Sequence, residues 1–338
     1  MPHERHQEPS LPSARGPVST AVREYLLGTG ALPRHESVAG ADVYGDDLQL
    51  ALYLCYELHY RGFAGVPADR EWDPGLLRTR AALEHRFLSA LRTDTPAHDS
   101  VEDALADLLV EPVEGTGVSH FLSKEGELWQ VREYAAQRSL YHLKEADPHA
   151  WVLPRLWGRA KAGMAAVEFD EFGGGRPERV HARLFAELMT DLGLDTTYGH
   201  YLEAACAEML ATVNLMSLLG LHRSLRGALV GHFAAVEITS SPGSRRLADA
   251  MRRTGAGPAA EHFYDEHVEA DAVHEQVVRH DVIGGLLAEE PHLAPDVAFG
   301  IDATGFVEDR LADRLLDDWR AGRSSLRSLQ PSETSHIS

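Results

Sequence analysis

The chain has 338 residues, 44% hydrophobic and 25% charged, the composition of a soluble globular protein with room for one large domain or two ordinary ones. Its 52 acidic against 32 basic side chains, a net charge of −20, exclude a nucleic-acid binder, which needs a basic face to displace counterions from phosphate, and disfavour docking on anionic lipid. Two cysteines, Cys55 and Cys206, are too few for a disulfide framework or a cysteine-rich zinc site, and they read as buried free thiols in a reducing cytoplasm.

Residues 1–20 are polar and Pro/Ser-rich, lack the apolar stretch of a secretory signal, and are expected to form a disordered tail, as are residues 323–338. The stretch "DDLQLALYLCYELHYRG" (46–62) keeps apolar residues at helical spacing and stops at Gly62. Periodic stretches follow at 76–93 and 101–110, and together residues 21–115 are expected to form an N-terminal helical region. The Gly-rich, polar run at 111–126 is the best candidate for its boundary.

Beyond it a helix is expected over 126–146. Asp147-Pro148 then supplies an N-cap and a proline at N1 for a long helix ending at Gly173-Gly174-Gly175. Further helices are expected over 177–192, 197–220, 222–239, 243–254, 258–288 and 303–321. The most apolar stretch, "ATVNLMSLLGLHRSLRGALV", is interrupted by His222, Arg223 and Arg226, so no membrane span is expected and a cytoplasmic location is. No strand pattern and no internal repeat is visible, and the fold class is all-α.

Within the last third, "HVEADAVH" places His267, Asp271 and His274 at relative positions 0, 4 and 7, which fall within roughly 60° on a helix. Two imidazoles and a carboxylate on one stripe suit divalent iron or manganese in a helical bundle. The bland alternative is a solvated face, since the surrounding text is rich in charge.

A metal on that stripe needs partners from other helices. Glu237 is the only acid in the apolar "GALVGHFAAVEITSS", where burial without a cation would be costly, unless it sits exposed at a helix end. Glu171 ends the Ala-rich "AAVEFDEFGGG", with Glu168 one turn earlier as a rival. His181 in "ERVHARLFAEL" is either a packed core histidine or a ligand, and Glu178 precedes it at the Glu-x-x-His spacing of di-iron bundles. Glu145 in "YHLKEADPHAW" is either a further ligand or plain surface charge.

These stretches resemble the haem-oxygenase-like di-iron oxidases and oxygenases, the iron-containing redox enzymes. The resemblance lies in "DEFGGG" with His181 and Leu184-Phe185 after it, the lone Glu237, and "HVEADAVH". Ten residues lead from Glu171 to His181, 56 more to Glu237 and 30 more to His267. The similarity covers residues 120–322 and is greatest to N-oxygenases of amino or aminoimidazole groups.

It implies a seven-helix haem-oxygenase-like bundle without haem, preceded by auxiliary helices that serve dimerisation. By residue, it makes Glu171, His181, Glu237, His267, Asp271 and His274 ligands of two iron ions. Glu145 becomes a movable catalytic carboxylate of N-oxygenases, and Glu178 either takes the place of Glu171 as the ligand, as the closer carboxylate of other members does, or supports it. O₂ as co-substrate, a peroxo-diferric intermediate, an external electron donor, a small amine, guanidine or amino-heteroaromatic substrate from natural-product biosynthesis, and a homodimer follow from the same resemblance. Two other functions stay open: a di-iron oxidase that cleaves C–C bonds or desaturates a fatty or amino acid, and a non-catalytic helical scaffold. Tyr264, one turn before His267, is either a packing residue or a hydrogen-bonding neighbour of the site, and Arg159, Arg183 and Arg223 are candidate carboxylate binders.

Overall fold

A computed structural model describes residues 8–110 and 115–327, with the backbone but not the side chains of 269–272. Among the described residues every regular element is helical. In the N-terminal part lie α1 (Pro17–Leu26), α2 (His35–Gly40), α3 (Asp46–Glu57), α4 (Pro74–Asp94) and α5 (Val101–Leu108). Then come α6 (Val118–Lys124), α7 (Leu128–His142), α8 (Asp147–Ala150), α9 (Gly158–Glu171) and α10 (His181–Asp191). The chain closes with α11 (Ala207–Leu221), α12 (Arg226–Thr254), α13 (Pro258–Val277), α14 (Gly284–Glu289) and α15 (Ala294–Arg320).

Several starts follow from their caps. The Asp73 carboxylate accepts the Leu76 N–H ahead of Pro74 at 2.8 Å, Ser100 caps α5, and Glu127 with Gln130 forms a reciprocal box at the head of α7. The Asp191 carboxylate, at the end of α10, accepts the Ala259 N–H at 2.6 Å, so one helix end caps the start of α13.

At the centre lies α11, "AEMLATVNLMSLLGL", buried from Ala207 to Gly220 apart from Glu208. A helix apolar on every side needs neighbours on every side. They are α3, α7, α8, α12 and α15. On α3, Gln49 accepts the Asn214 side-chain amide through both its backbone and side-chain oxygens at 2.8 Å, which fixes α3 against α11. The longest pairings run between α12 and α13 and between α12 and α15.

Several sequence expectations need correction, among them the helices expected over 197–220 and 303–321, which run over Ala207–Leu221 and Ala294–Arg320. The helix expected from Asp147 to Gly173 is broken, because Pro154 cannot continue it: α8 is one turn, a 3₁₀ turn spans Leu153–Arg155, and α9 begins afresh at Gly158. The helices expected over 222–239 and 243–254 are instead one, α12, with Pro242 inside it. Residues 8–20 are not a loose tail. Ser13 donates its N–H to Glu203, Arg15 donates to Asp46 and to the Leu202 carbonyl, and α1 has already begun at Pro17. Residues 323–327 are likewise held, by Ser325 on Glu133 and by the Arg327 N–H on the Ala204 carbonyl; residues 1–7 and 328–338 lie outside the described range.

The run 111–126, expected as a boundary, contains α6, and residues 111–114 lie outside the described range. The N-terminal helices and the later bundle share one continuous hydrophobic core, from Val18 to Trp319. Cys55 and Cys206 are buried and free, as expected, and burial pushes both thiols up to about 12. No helix among the described residues is long and apolar enough to cross a membrane.

Candidate metal centre

The α9 helix stops at Glu171 because three left-handed glycines follow, Gly173, Gly174 and Gly175, with φ of 76°, 61° and 80°. At Gly173 the backbone passes so close to Arg179 and Val180 that a Cβ would lie 2.7 Å from the Val180 nitrogen. That approach turns the chain back on itself and seats His181, the first residue of α10, with its Nδ1 at 2.7 Å from Glu171 Oε2.

Around this pair the fold gathers two groups of buried donors. Glu145, Glu171, His181 and His267 offer ligand atoms within 4.8 Å of one another, and so do Glu171, Glu237 and His274. Glu171 belongs to both, as a carboxylate bridging two metal ions would. The first group draws on the turn after α7 and on α9, α10 and α13, the second on α9, α12 and α13.

Tautomers follow from the partners. His267 donates its Nδ1–H to the Phe263 carbonyl at 2.7 Å, which leaves the lone pair of Nε2 facing Glu145 Oε1 at 3.8 Å. His274 directs Nδ1 at Glu237 Oε2, 3.0 Å away, and at Glu171 Oε1, 3.8 Å away, while Nε2 lies 3.4 Å from Asp170 Oδ2. A proton on Nε2 donated to Asp170 frees Nδ1 for a metal. Asp170 is therefore a residue that the sequence reading passed over; its adjacency to Glu171 was the only signal.

Electrostatics separate the carboxylates. Burial pushes Glu145 upward, but His142 and His267 outweigh it and hold the group well below the usual carboxylate range. His142 donates its Nδ1–H to Glu145 Oε1 at 2.7 Å, while Glu145 Oε2 is buried without a hydrogen-bond partner. Burial disfavours a charged His181, yet the Glu171 carboxylate beside it raises its pKa overall. Glu168 differs from both. Burial, then Glu171, Glu237 and Asp147, push it up to about 9, and both its oxygens lack a partner.

Three buried carboxylates, Glu145, Glu171 and Glu237, and three imidazoles form a mixed oxygen and nitrogen donor set of the kind that suits a divalent cation. The orphaned Glu145 carboxylate oxygen points the same way. The residues present fit a metal centre.

Six of the sequence candidates, Glu145, Glu171, His181, Glu237, His267 and His274, thus come together. The Asp271 side chain lies outside the described residues, although its backbone is on α13. Glu178 stands exposed on a 3₁₀ turn, away from the cluster, so the Glu-x-x-His spacing read before His181 does not form a site. Tyr264 is buried and its hydroxyl has no hydrogen-bond partner. Arg159 and Arg183 form surface pairs with Asp281 and Glu187, and Arg223 is exposed.

The all-α bundle encloses a two-part carboxylate–imidazole cluster, which places it in the class of helical proteins with a buried centre fit to hold metal. The sequence profile of the iron-containing redox enzymes matches residues 132–306, which include every described residue of the cluster. The chain belongs to the iron-containing redox enzyme family. No curated protein matches it.

Proposed function

We propose that the chain is a non-haem di-iron oxygenase that moves one oxygen atom of O₂ onto the nitrogen of an amine, guanidine or amino-heteroaromatic substrate. The observation that carries the di-iron reading is the sharing of Glu171 by two donor groups. Glu145 and His267 from one side, with His181, would hold the first iron; Glu237, His274 and Asp271 would hold the second. With Asp271 included, the carboxylates number four, Glu145, Glu171, Glu237 and Asp271, and their charge balances two divalent cations.

Bound iron supplies the electrons and open coordination positions that O₂ chemistry requires. The chain's own groups set the rest. The Phe263 carbonyl and Asp170 fix the two imidazole tautomers of α13, His142 keeps one Glu145 oxygen engaged and the other available, and Phe185 and Phe263 pack against His142 to wall the site from water. N-oxygenation to a hydroxylamine uses R–NH₂, O₂, two electrons and two protons and yields R–NHOH and water, so an external electron donor is part of the proposal. The choice of nitrogen as acceptor is supported by Glu145, which the resemblance makes the additional carboxylate of N-oxygenases, beside the spacing of Glu171, His181, Glu237 and His267.

Anaerobic Fe(II) titration of the full chain tests the first half: about two irons per chain are expected, falling to about one in His267→Ala. Uptake of no iron would sink the reading. Turnover of candidate amines under ¹⁸O₂ with a reductant tests the second half. One labelled oxygen on nitrogen is expected, whereas a cleaved or desaturated product without label would make the protein an oxidase.

A further inference from the structure

Glu145 does not sit on a regular helix. The α7 helix ends at His142, Glu145 follows in a turn, and its own N–H makes only a long 3.4 Å bond to the His142 carbonyl. The next residue, Ala146, has φ 71° and ψ −30°, the one positive φ at a non-glycine among the described residues. Such a backbone persists only where the surroundings over-determine it. The two residues just before Glu145 are held from α3, the turn after it, and Tyr198 in the connection between α10 and α11.

Lys144, on one side of Glu145, buries its ammonium 2.8 Å from Glu57 Oε2, with both side chains at 1% exposure or less. Tyr198 donates its hydroxyl to the other Glu57 oxygen at 2.6 Å, and the Lys144 Nζ lies 4.2 Å from the centre of the Tyr60 ring. Arg61, at the surface, donates to the Leu143 carbonyl at 2.9 Å and stacks on Tyr198. A buried ion pair loses nearly as much in desolvation as it gains in attraction, so stability is a weak reason for it; fixing one geometry is a better one.

We propose that Glu57, Lys144 and Arg61 are positioning residues that clamp the turn 143–146 and so aim Glu145 into the first half of the metal cluster. The N-terminal helices then act on the centre directly, through a metal ligand, and not only as a packing or dimerisation surface. The clamp rests on the reading of Glu145 as a ligand.

The test is Mn(II) titration of the full metal-free chain, followed by calorimetry and by the Mn(II) electron paramagnetic resonance signal. E57Q/K144M removes both charges, keeps an oxygen for the Tyr198 hydroxyl and leaves no unpaired ion. The expected result is a loss of ~10-fold or more in affinity at one of the two sites, with the other site and the helical circular dichroism unchanged. Glu145→Gln is expected to weaken the same site, and adding E57Q/K144M to Glu145→Gln should cost no further affinity, because both act through one group. Arg61→Ala, a surface change that leaves the buried pair intact, is expected to give a smaller loss at that site.

Wild-type affinity at both sites in E57Q/K144M, or additive losses with Glu145→Gln, overturns the clamp. Equal weakening of both sites also overturns it, since that is the signature of a general scaffold. If E57Q/K144M does not fold, Arg61→Ala decides: unchanged affinity overturns the proposal. A wild-type chain that binds no Mn(II) overturns the metal reading itself, and is distinguished from failure of the clamp by needing no variant.

Discussion

Glu168 is a buried carboxyl with little reason to be charged. Its folded pKa of about 9 lies far above the ordinary 4.5, raised by burial and then by Glu171, Glu237 and Asp147. The folded state therefore keeps a proton that the unfolded state has released. Stability from this group is full below pH 4.5 and falls as pH rises towards 9. Glu168→Gln in the metal-free protein is expected to raise stability by ~1–3 kcal/mol at pH 8, with the gain fading near pH 4 to 5. Urea unfolding at the two pH values checks it, and an equal effect at both would refute the assignment. Asp170 makes a second prediction. Asp170→Asn is expected to weaken the metal bound by His274 ~10-fold to 100-fold with folding intact, read by competition with a metal indicator. Neither residue's role was legible in the sequence. In "AAVEFDEFGGG" three acids stand within one turn, and only the distances to His181 and His274 set Glu171, which lies in both donor groups, apart from Glu168 and Asp170.

Helix α12 shows how packing overrides local preference. Pro242 removes an N–H from the ladder and favours a break, yet the helix runs from Arg226 to Thr254. It is held along its length between α13 and α15, and Ser241 donates to the Val268 carbonyl near the proline. The crossing with α15 is unusually close. A Cβ at Gly231 would lie 1.9 Å from the Val297 carbonyl oxygen, and one at Gly300 1.9 Å from that of Ala228. Because backbone cannot move aside as a flexible side chain can, Gly231→Ala or Gly300→Ala is expected to force the helices apart and cost ~3 kcal/mol. Denaturant unfolding measures this, and a loss under ~0.5 kcal/mol would contradict the crossing. Since Glu237 is carried on α12, metal affinity at the second group should fall with it. The helix bearing His267 and His274 continues into a π-helical turn over Val278–Ile283, packed against α9, an irregularity that recurs at functional sites.

The whole molecule is a single hydrophobic core around a cluster of buried negative charge, in a chain already at −20. A cation that binds the folded state alone must stabilise it, by ~2.7 kcal/mol per site when present at a hundred times its dissociation constant. Thermal unfolding with Mn(II) should therefore occur well above that in chelator, while Mg(II), which disfavours imidazole, should have little effect. Coincident melts in Mn(II), Mg(II) and chelator would show the cluster does not hold a metal. The sequence alone was enough for the helical class and for the histidine stripe of α13, since helical periodicity is a local property of side-chain direction. It was enough too for the stop after Glu171, because consecutive glycines act on their own backbone. Only the tertiary structure decided that Glu171, and not Glu168 or the exposed Glu178, is shared by both groups, and that Lys144 beside Glu145 meets Glu57 across 87 residues. Carboxylates within a turn of one another are chemically identical in the text; burial and the partners brought by distant helices are what make them different.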